Sequence, residues 1–330
     1  MEQIRVTIAL SVYNVAEYVR ASLDCLLAQT FNDFELLCID DASTDNTWDI
    51  LVIYAAKDSR IRLFRQEKNQ GLSVSRNLAI KEAKGEYLLM LDGDDLFAYD
   101  MVEKAYAKAK ETNADMVLWD YSVFYDEKEL EKRSREPSSL HQVNVQDKVA
   151  LLHRPAFMWV RLIRLTAIRN LGIQFTPGLT KQDIPIHWKL VTSLDRISLL
   201  PERLSYYRQQ PESTSNRKGK SVFSLAYVMD ITKKQLIEDG YYETYRDEFL
   251  RCRLNLLQGM YDFVKPELKA EALALIYERL GEDENAYVST PNNDLTPRTR
   301  YFFGMLNGNL WDYLKYKGFR LLRSVFRIFK

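Results

Sequence analysis

The stretch Tyr87-Leu88-Leu89-Met90-Leu91-Asp92-Gly93-Asp94-Asp95 joins a short apolar run to a cluster of carboxylates. The apolar run is typical of a buried strand, so Asp92 and Asp94 are expected just past the carboxyl end of that strand. Mg²⁺ and Mn²⁺ prefer such oxygen ligands, and proteins hold them with one or two carboxylates while substrate phosphates complete the coordination shell. Alone, the pattern is more typical of a plain turn, because Asp-Gly is a common turn dipeptide.

Outward from this stretch, short apolar runs alternate with segments of helical period through residue 125. The predicted strands are Val6–Leu10, Phe34–Ile39, Ile61–Phe64, Tyr87–Leu91 and Met116–Trp119, and the predicted helices are Ala16–Gln29, Thr47–Lys57, Ser75–Ala83 and Met101–Thr112. Because parallel strands need crossover helices, this alternation predicts an α/β fold with a mostly parallel central sheet and helices on both faces. Ligands of such folds bind at the carboxyl ends of the strands, where Asp40 and Asp41 should meet Asp92 and Asp94.

Composition excludes several classes of protein. The 330 residues carry 46 Lys and Arg against 46 Asp and Glu, so no net positive field favours nucleic acid as a partner. Cys25, Cys38 and Cys252 stand singly in apolar segments, which favours buried thiols in a reducing compartment over a disulfide framework or a zinc site. The N-terminal residues lack the order of a signal peptide, and no run approaches about 18 apolar residues. We therefore expect a cytoplasmic protein without a membrane-spanning segment.

The second half of the chain is predicted to contain one further helix of the first domain and then a helical region. Residues 126–148 are polar and predict an exposed loop, and Ile184–Leu194 predicts a helix with Asp183 as its N-cap. The later helices are predicted at Ser221–Ile237, Glu248–Val264 and Pro266–Leu280, followed by a linker at Gly281–Arg300. These patterns divide the chain into residues 1–220 and a helical region, 221–330.

Four motifs follow the predicted strands or begin the predicted helices. They are Tyr13-Asn14, Asp40-Asp41-Ala42-Ser43-Thr44-Asp45, Gly71-Leu72-Ser73-Val74-Ser75-Arg76-Asn77 and Asp92-Gly93-Asp94-Asp95. Each alone fits a turn with capping residues. In this order and spacing they resemble the family 2 glycosyltransferases of the GT-A fold, which is Rossmann-like. The resemblance implies that residues 1–120 bind a nucleotide sugar and that residues 121–220 hold the acceptor and the catalytic base.

The resemblance implies roles for the first three motifs. Asp41 would lie by the base of the nucleotide with Ser11 nearby, and Tyr13 and Asn14 would line the same site; an aspartate that accepts from a uracil N3–H would favour a UDP-sugar. The structural alternative for Asp41 is capping of the following helix. Arg76 would contact the diphosphate or the sugar, since guanidinium groups match phosphate oxygens; the alternative is a surface ion pair. Gly71 would give the nucleotide room.

The carboxylates are implied to supply the metal site and the base. Asp92 and Asp94 correspond to the metal-binding pair, which would hold Mn²⁺ or Mg²⁺, Gly93 lies between them, and Asp95 corresponds to a neighbour that orients the donor sugar. A bound cation stabilises the departing diphosphate as a Lewis acid. An inverting transfer, which gives a β-linkage from an α-linked donor, also needs a general base at the acceptor hydroxyl. Asp183 corresponds to that base, although the family's glutamate before it is replaced by Gln182. A helix cap is the alternative for Asp183.

Later segments resemble the family less closely. Arg208, Ser213 and Ser215 match a stretch that closes over the donor phosphates, but a polar loop after an aromatic strand needs no function. His187 lies one helical turn after Asp183, where a plain helix-face histidine is the better interpretation. The surrounding pattern is most similar to small bacterial transferases of lipopolysaccharide cores and related surface glycans, which implies a saccharide or lipid-linked saccharide acceptor.

The C-terminal tail, residues 311–330, is predicted to form an amphipathic helix with one apolar and one basic side. Such a helix suits contact with the anionic inner face of the cytoplasmic membrane. The alternative is docking on its own protein or on a sister subunit, which leaves a homo-oligomer open.

Two other functions compete with glycosyl transfer. An NAD-dependent dehydrogenase is disfavoured because the first turn lacks the glycines of G-x-G-x-x-G. A catalytically inactive glycan- or nucleotide-sugar-binding protein of the same fold remains an alternative.

Overall fold

The computed structural model describes residues 4–129, 136–209, 218–290 and 293–308. Contacts divide the chain into an N-terminal unit, Met1–Thr214, and a C-terminal unit, Ser215–Lys330. The sequence places this division a few residues later, at 220. Ser213, Ser215 and the tail 311–330 lie outside the described residues, so their predicted contacts stay predictions.

The N-terminal unit is built on an eight-stranded sheet. Its strands are β1 (Val6–Val12), β2 (Phe34–Asp40), β3 (Ile61–Arg65), β4 (Tyr87–Asp92), β5 (Leu96–Phe97), β6 (Met116–Phe124), β7 (Arg161–Arg164) and β8 (Ile197–Arg208). Its helices are α1 (Val19–Leu27), α2 (Thr47–Ala55), α3 (Leu72–Glu82), α4 (Met101–Glu111), α5 (Lys148–Leu152), α6 (Leu165–Asn170) and α7 (Asp183–Ser193). The strand order is β3-β2-β1-β4-β7-β6-β8-β5.

The sheet is parallel over β3, β2, β1 and β4 and mixed beyond them. β7 enters antiparallel between β4 and β6, β6 and β8 are parallel, and β5 is antiparallel to β8. Six of the eight strands therefore run in one direction and only β7 and β5 are reversed, which agrees with the expectation of a mostly parallel sheet. β7 begins and ends with arginines, so its sequence carries no apolar run that could have predicted it.

Burial of the first strands explains why their sequences are continuous apolar runs rather than alternating ones. Every residue of β1 and β2 is buried, so both faces of the sheet are covered at its centre. On α1, Val19, Leu23 and Leu26 recur at helical spacing and are fully buried. The regular core places the carboxyl ends of β1, β2 and β4 side by side.

The segment 126–148, predicted as an exposed loop, contains local structure in its described parts, 126–129 and 136–148. Short 3-10 helices form at Glu127–Glu129 and Ser139–Gln142. The Asp120 carboxylate accepts hydrogen bonds from the Ser139 backbone N–H at 2.9 Å and from the Ser138 hydroxyl at 3.1 Å. A single buried carboxylate thus fixes a polar segment to β6.

The C-terminal unit is helical. Its helices are α8 (Ser224–Glu238), α9 (Tyr242–Phe263), α10 (Lys269–Arg279), α11 (Glu282–Ser289) and α12 (Pro297–Leu306), with 3-10 turns at Lys220–Phe223 and Pro266–Leu268. The predicted linker at Gly281–Arg300 is wrong. Its polar residues are helix caps: the Glu284 carboxylate accepts from the Gly281 N–H at 3.1 Å, and the Thr296 hydroxyl accepts from the Thr299 N–H at 3.2 Å.

The three cysteines are free thiols. Cys38 is fully buried, and burial raises its pKa to about 12, whereas Cys25 and Cys252 are partly buried. In the described parts of the chain, no helix combines the length and the apolar character needed to cross a bilayer.

Candidate functional site

The turn after β4 is built to carry carboxylates at the sheet edge. Asp92 is paired in register with Ser11 of β1, and the Gly93 N–H donates to the Ser11 carbonyl at 3.0 Å. The Ser22 hydroxyl of α1 donates to the Gly93 carbonyl at 3.0 Å. A Cβ at residue 93 would lie 2.5 Å from Cγ1 of Val12, so this position requires glycine. The turn is therefore fixed on both sides, and Asp92 and Asp94 leave it in set directions.

The three carboxylates of the turn lie in a medium that disfavours their charged form. Burial raises the pKa of Asp92 to about 6, against the opposing charge of the Arg76 guanidinium. Burial also raises the pKa of Asp94, and burial with the charges of Asp94 and Asp92 raises the pKa of Asp95 well above its usual range. The Oδ2 atom of Asp95 is buried and has no hydrogen-bond partner. A divalent cation would relieve these penalties.

The donor set fits Mg²⁺ or Mn²⁺ as a partial shell. Asp92 and Asp94 offer hard oxygen ligands at an edge that is partly open, since the Asp92 side chain is 27% exposed. Over the described residues, no group of three or more His, Cys, Asp or Glu side chains converges on a point where it could hold an ion. An ion here would therefore take further ligands from substrate oxygens, as the sequence predicts.

Arg76 contacts both Asp92, a predicted metal ligand, and Asp183, the predicted base. Its side chain is 2% exposed; Nη2 lies 3.3 Å from Oδ1 of Asp92, and Nη1 donates to Oδ1 of Asp183, which is 107 residues away in the chain. The guanidinium carbon lies 5.5 Å from the centre of the Phe175 ring. The fold thus brings Asp92 and Asp183 to one guanidinium. The ion pairs are partly buried, since the guanidinium is buried while the Asp92 and Asp183 side chains are 27% and 17% exposed, so they differ from the surface ion pair of the alternative interpretation.

Asp183 is the first residue of α7 and not its N-cap. The N-cap is Gln182, whose side chain makes no capping bond, and the preceding Lys181 has a positive φ of 60°. A carboxylate in the first turn also suits the positive end of the helix. The predicted boundary is wrong by one residue. Asp183 consequently projects from the helix start, with 17% of its side chain exposed.

The predicted nucleotide residues lie along the same sheet edge. The Asp41 carboxylate does not cap α2; it accepts from the N–H groups of Gln70 and Gly71 at 2.8 and 2.7 Å. The Asn14 side chain accepts from the Thr44 N–H at 2.8 Å, which ties the first motif to the second. Ser11 is buried, whereas Tyr13 is 45% exposed. Asp41 therefore holds the turn at Gly71, whose φ of 86° suits glycine.

Arg208, at the end of β8, lies against the carboxylate turn. Its backbone N–H donates to Oδ1 of Asp95 at 2.9 Å, and its Nε donates to the Asp94 carbonyl at 2.9 Å. Nη2 pairs with Glu127 at 2.8 Å, and the guanidinium lies over the Phe124 ring at 4.7 Å. Nothing in the sequence predicted the Glu127 contact, because Glu127 lies in the segment interpreted as an exposed loop.

His187 is a buried structural residue, as its helix position suggested. Nδ1 lies 3.2 Å from Nη1 of Arg161, and Nε2 lies 3.3 Å from the Leu152 carbonyl. Burial lowers the pKa of His187 to about 3, with a further contribution from the Arg161 charge, so the ring is neutral at pH 7. Arg161 is also buried, and burial lowers its pKa to about 10. No motif or periodicity in the sequence distinguishes Arg161 from other arginines.

Comparison with known proteins identifies related sequences. The family model described as Glycosyl transferase family 2 matches residues 7–170. Glycosyltransferase GlyG of Streptococcus pneumoniae serotype 4 is 34% identical over 122 residues, which are 37% of this chain and 40% of that protein. The Escherichia coli protein named UDP-Glc:alpha-D-GlcNAc-diphosphoundecaprenol beta-1,3-glucosyltransferase WfaP is 36% identical over 125 residues, 38% of this chain and 48% of its own length. The chain thus spans less than half the length of these two relatives.

A solved structure shares the fold. The crystal structure of S. aureus TarS residues 1–349 in complex with UDP-GlcNAc matches with a TM-score of 0.76 at 21% identity, over 96% of this chain and 92% of that chain. At this identity the likeness shows the fold alone. The predicted GT-A fold with a helical C-terminal region is confirmed.

Proposed function

Since this chain belongs to glycosyl transferase family 2, we propose that it moves a sugar from a UDP-sugar to a hydroxyl group of a bacterial surface glycan. The observation that carries the proposal is the single buried guanidinium of Arg76, which contacts both Asp92 and Asp183. A metal ligand and a general base must lie on two sides of one reacting carbon, and the shared contact with Arg76 supports these roles for Asp92 and Asp183 because it keeps the two carboxylates close together.

Each carboxylate has a task in the proposed reaction. Asp92 and Asp94 would hold Mn²⁺ or Mg²⁺, which supplies Lewis-acid stabilisation to the departing diphosphate. Asp183 would take the proton of the acceptor hydroxyl as that oxygen attacks the anomeric carbon. Attack opposite to the leaving group inverts the configuration, so an α-linked donor gives a β-linked product. Arg208 and Asp95 would hold the turn rigid while charge builds on the diphosphate.

Donor and acceptor classes rest on the relatives. TarS was solved with UDP-GlcNAc, and the name of WfaP gives UDP-Glc as donor and a diphosphoundecaprenol-linked sugar as acceptor. UDP and a saccharide or lipid-linked saccharide are the corresponding proposals for this chain. Asp41 and Ser11, at the ends of β2 and β1, would line the site for the base, together with Tyr13 and Asn14.

The experiment is release of UDP from a panel of UDP-sugars, with and without EDTA, before and after addition of a lipid-linked saccharide. Metal-dependent release that rises with acceptor supports the enzyme. Binding of UDP-sugars without release under all conditions would instead support the inactive nucleotide-sugar-binding protein.

The tail 311–330 would hold the enzyme at the inner face of the cytoplasmic membrane, beside a lipid-linked acceptor. Its support is the sequence pattern of one apolar and one basic side. Co-sedimentation with vesicles of anionic and of neutral lipid tests this contact. Loss of sedimentation on removal of 311–330 is expected; equal sedimentation without the tail would contradict it.

A further inference from the structure

We propose that Ser73, Arg76 and Asn77 of α3 form a frame that positions Asp183, and that they act through this carboxylate and not by contact with the donor. This inference rests on the proposed function, because it takes Asp183 as the base. It replaces the expectation that Arg76 binds the diphosphate or the sugar. We call these three residues the α3 frame.

The first part of the frame is a pair of hydrogen bonds between Asn77 and the backbone of Phe175. The Asn77 Nδ2 donates to the Phe175 carbonyl at 2.8 Å, and the Phe175 N–H donates to the Asn77 Oδ1 at 2.8 Å. One side-chain amide thus satisfies both backbone groups of a single residue. The Ser73 hydroxyl, one turn earlier, donates to the carbonyl of Thr176 at 2.8 Å. α3 therefore holds the start of the loop that leads to Asp183.

The second part of the frame is Arg76, between Ser73 and Asn77 on the same helix. Its guanidinium lies 5.5 Å from the Phe175 ring centre and donates to Asp183, so it contacts both ends of the 175–183 loop. Because the side chain is 2% exposed and also pairs with Asp92 at 3.3 Å, its position is set by the protein. A buried arginine with two carboxylate partners orients those partners.

The loop needs such a frame because its own backbone is unusual. Gly178 has a φ of 79° and Lys181 has a φ of 60°, and a left-handed conformation at a lysine is held only by surrounding structure. No cap bond from Gln182 fixes the start of α7. A base must lie within about 3 Å of the proton that it takes, and a misplacement of about 1 Å lowers the rate by about 100-fold. The contacts of α3 supply the fixation that the loop lacks.

Asn77→Ala is the sharpest test, because it removes both bonds to Phe175 without changing any charge near Asp92 or Asp183. Ser73→Ala removes the bond to Thr176 and provides a second variant if Asn77→Ala does not fold. Arg76→Lys keeps the charge but loses the planar fork. Lys81→Ala, an exposed change in the last turn of α3, is the matched control.

Four quantities are measured for each variant: kcat for transfer, the donor KM, UDP affinity with Mn²⁺ by calorimetry, and hydrogen exchange of backbone amides in 173–183. For Asn77→Ala we expect kcat to fall about 100-fold while the donor KM and the UDP affinity stay within about threefold. Exchange in 173–183 should accelerate. Ser73→Ala should show a smaller loss of the same kind, and Lys81→Ala should match the wild type. Arg76→Lys should lower kcat and also change the UDP affinity with Mn²⁺, because Arg76 contacts Asp92 as well as Asp183.

The proposal is overturned if Asn77→Ala keeps its kcat, or if the loss is found in donor KM and UDP affinity, which would make α3 a donor-binding element. Failure of the proposed function gives a different result: the wild type would transfer none of the UDP-sugars. In that case hydrogen exchange alone tests whether α3 fixes the loop. Equal exchange rates in 173–183 for Asn77→Ala, Ser73→Ala and the wild type would contradict the proposal.

Discussion

Replacement of Gly93 by alanine should destabilise the carboxylate turn, and the contact distances in the structure determine the size of the loss. The new Cβ would lie 2.5 Å from Cγ1 of Val12, whereas carbon atoms in contact normally lie about 3.5 to 4.0 Å apart. Neither side yields easily: Val12 is 3% exposed and stiff at χ1, and the turn is held by Ser11 and Ser22. Overpacking of this kind costs about 1 to 3 kcal/mol. Displacement of Asp92 and Asp94 should also weaken the metal-dependent binding of UDP by the protein.

A double-mutant cycle isolates the clash. Val12→Ala alone removes two buried methyl groups and should cost about 2 kcal/mol. With Cγ1 absent the alanine at 93 fits, so the double variant should be about 1 to 2 kcal/mol more stable than the sum of the single changes. Gly259→Ala, in α9, is the control: its Cβ meets no atom within 4 Å, and it should stabilise its helix by up to about 1 kcal/mol.

Urea unfolding gives the free energies, and calorimetry with UDP and Mn²⁺ gives the binding. If Gly93→Ala is as stable as the wild type and binds UDP equally well, the reasoning about this turn is refuted. An additive cycle would show that the cost does not come from Val12.

Four further changes test other parts of the account. Asp183→Asn should abolish transfer and spare UDP binding, measured by UDP release and calorimetry; a fully active variant would remove the base assignment. Asp94→Asn should weaken UDP binding in Mn²⁺ and leave the affinity in EDTA unchanged; equal weakening in both media would argue against a metal ligand. His187→Gln should remove one part of the pH dependence of stability. Since the folded pKa of about 3 lies below the unfolded value near 6.5, the histidine lowers the free energy of unfolding by about 2 kcal/mol as the pH falls from 7 to 5. Asp92, whose pKa is raised to about 6, has the opposite effect: its protonation in the folded state stabilises the protein as the pH falls from 7 to 5. The test is therefore the difference between wild type and variant in the slope of the free energy of unfolding against pH. Equal slopes would contradict the histidine effect. Glu284→Gln should destabilise the C-terminal unit by about 1 to 3 kcal/mol in thermal unfolding, because the buried Arg253, 3.1 Å away, would keep only the partly exposed Asp230 as a carboxylate partner; an unchanged midpoint would contradict this.

The sequence was informative wherever burial is complete. The strands that begin at Val6, Phe34, Tyr87 and Met116 were predicted at their first residues, because strands covered on both faces read as continuous apolar runs. The strand that begins at Ile61 was also predicted, although only its first residue is buried. β7 was missed, since its arginines direct their polar ends to the Phe157 carbonyl and to Asp115 while their stems stay in the sheet.

Capping residues were the main source of error. Gly281 and Thr296 begin helices, yet the Asn, Asp, Thr and Pro around them have the composition of a linker. The same ambiguity moved the start of α7 by one residue at Asp183. Turn-forming and helix-starting residues are the same types, and only the later tertiary contacts distinguish them.

The sequence predicted which strand ends lie together at the candidate site, but not the contacts between the side chains there. The carboxyl ends of β1, β2 and β4 had to meet, so the convergence of Ser11, Asp41 and Asp92 followed from topology. The contact between Arg76 and Asp183 joins two segments that no periodicity relates. The carboxylate of Asp41 turned out to bind the backbone at Gln70 and Gly71, a role that residue type alone does not indicate.

Manganese anomalous scattering from crystals grown with UDP and Mn²⁺ tests the account most directly. We expect one strong peak within coordination distance of Asp94 and Asp92, shared with the diphosphate oxygens of UDP, and the Asp183 carboxylate facing the side from which an acceptor would approach. A peak at any other group of residues, or a diphosphate bound away from this turn, would contradict the assignment of the site.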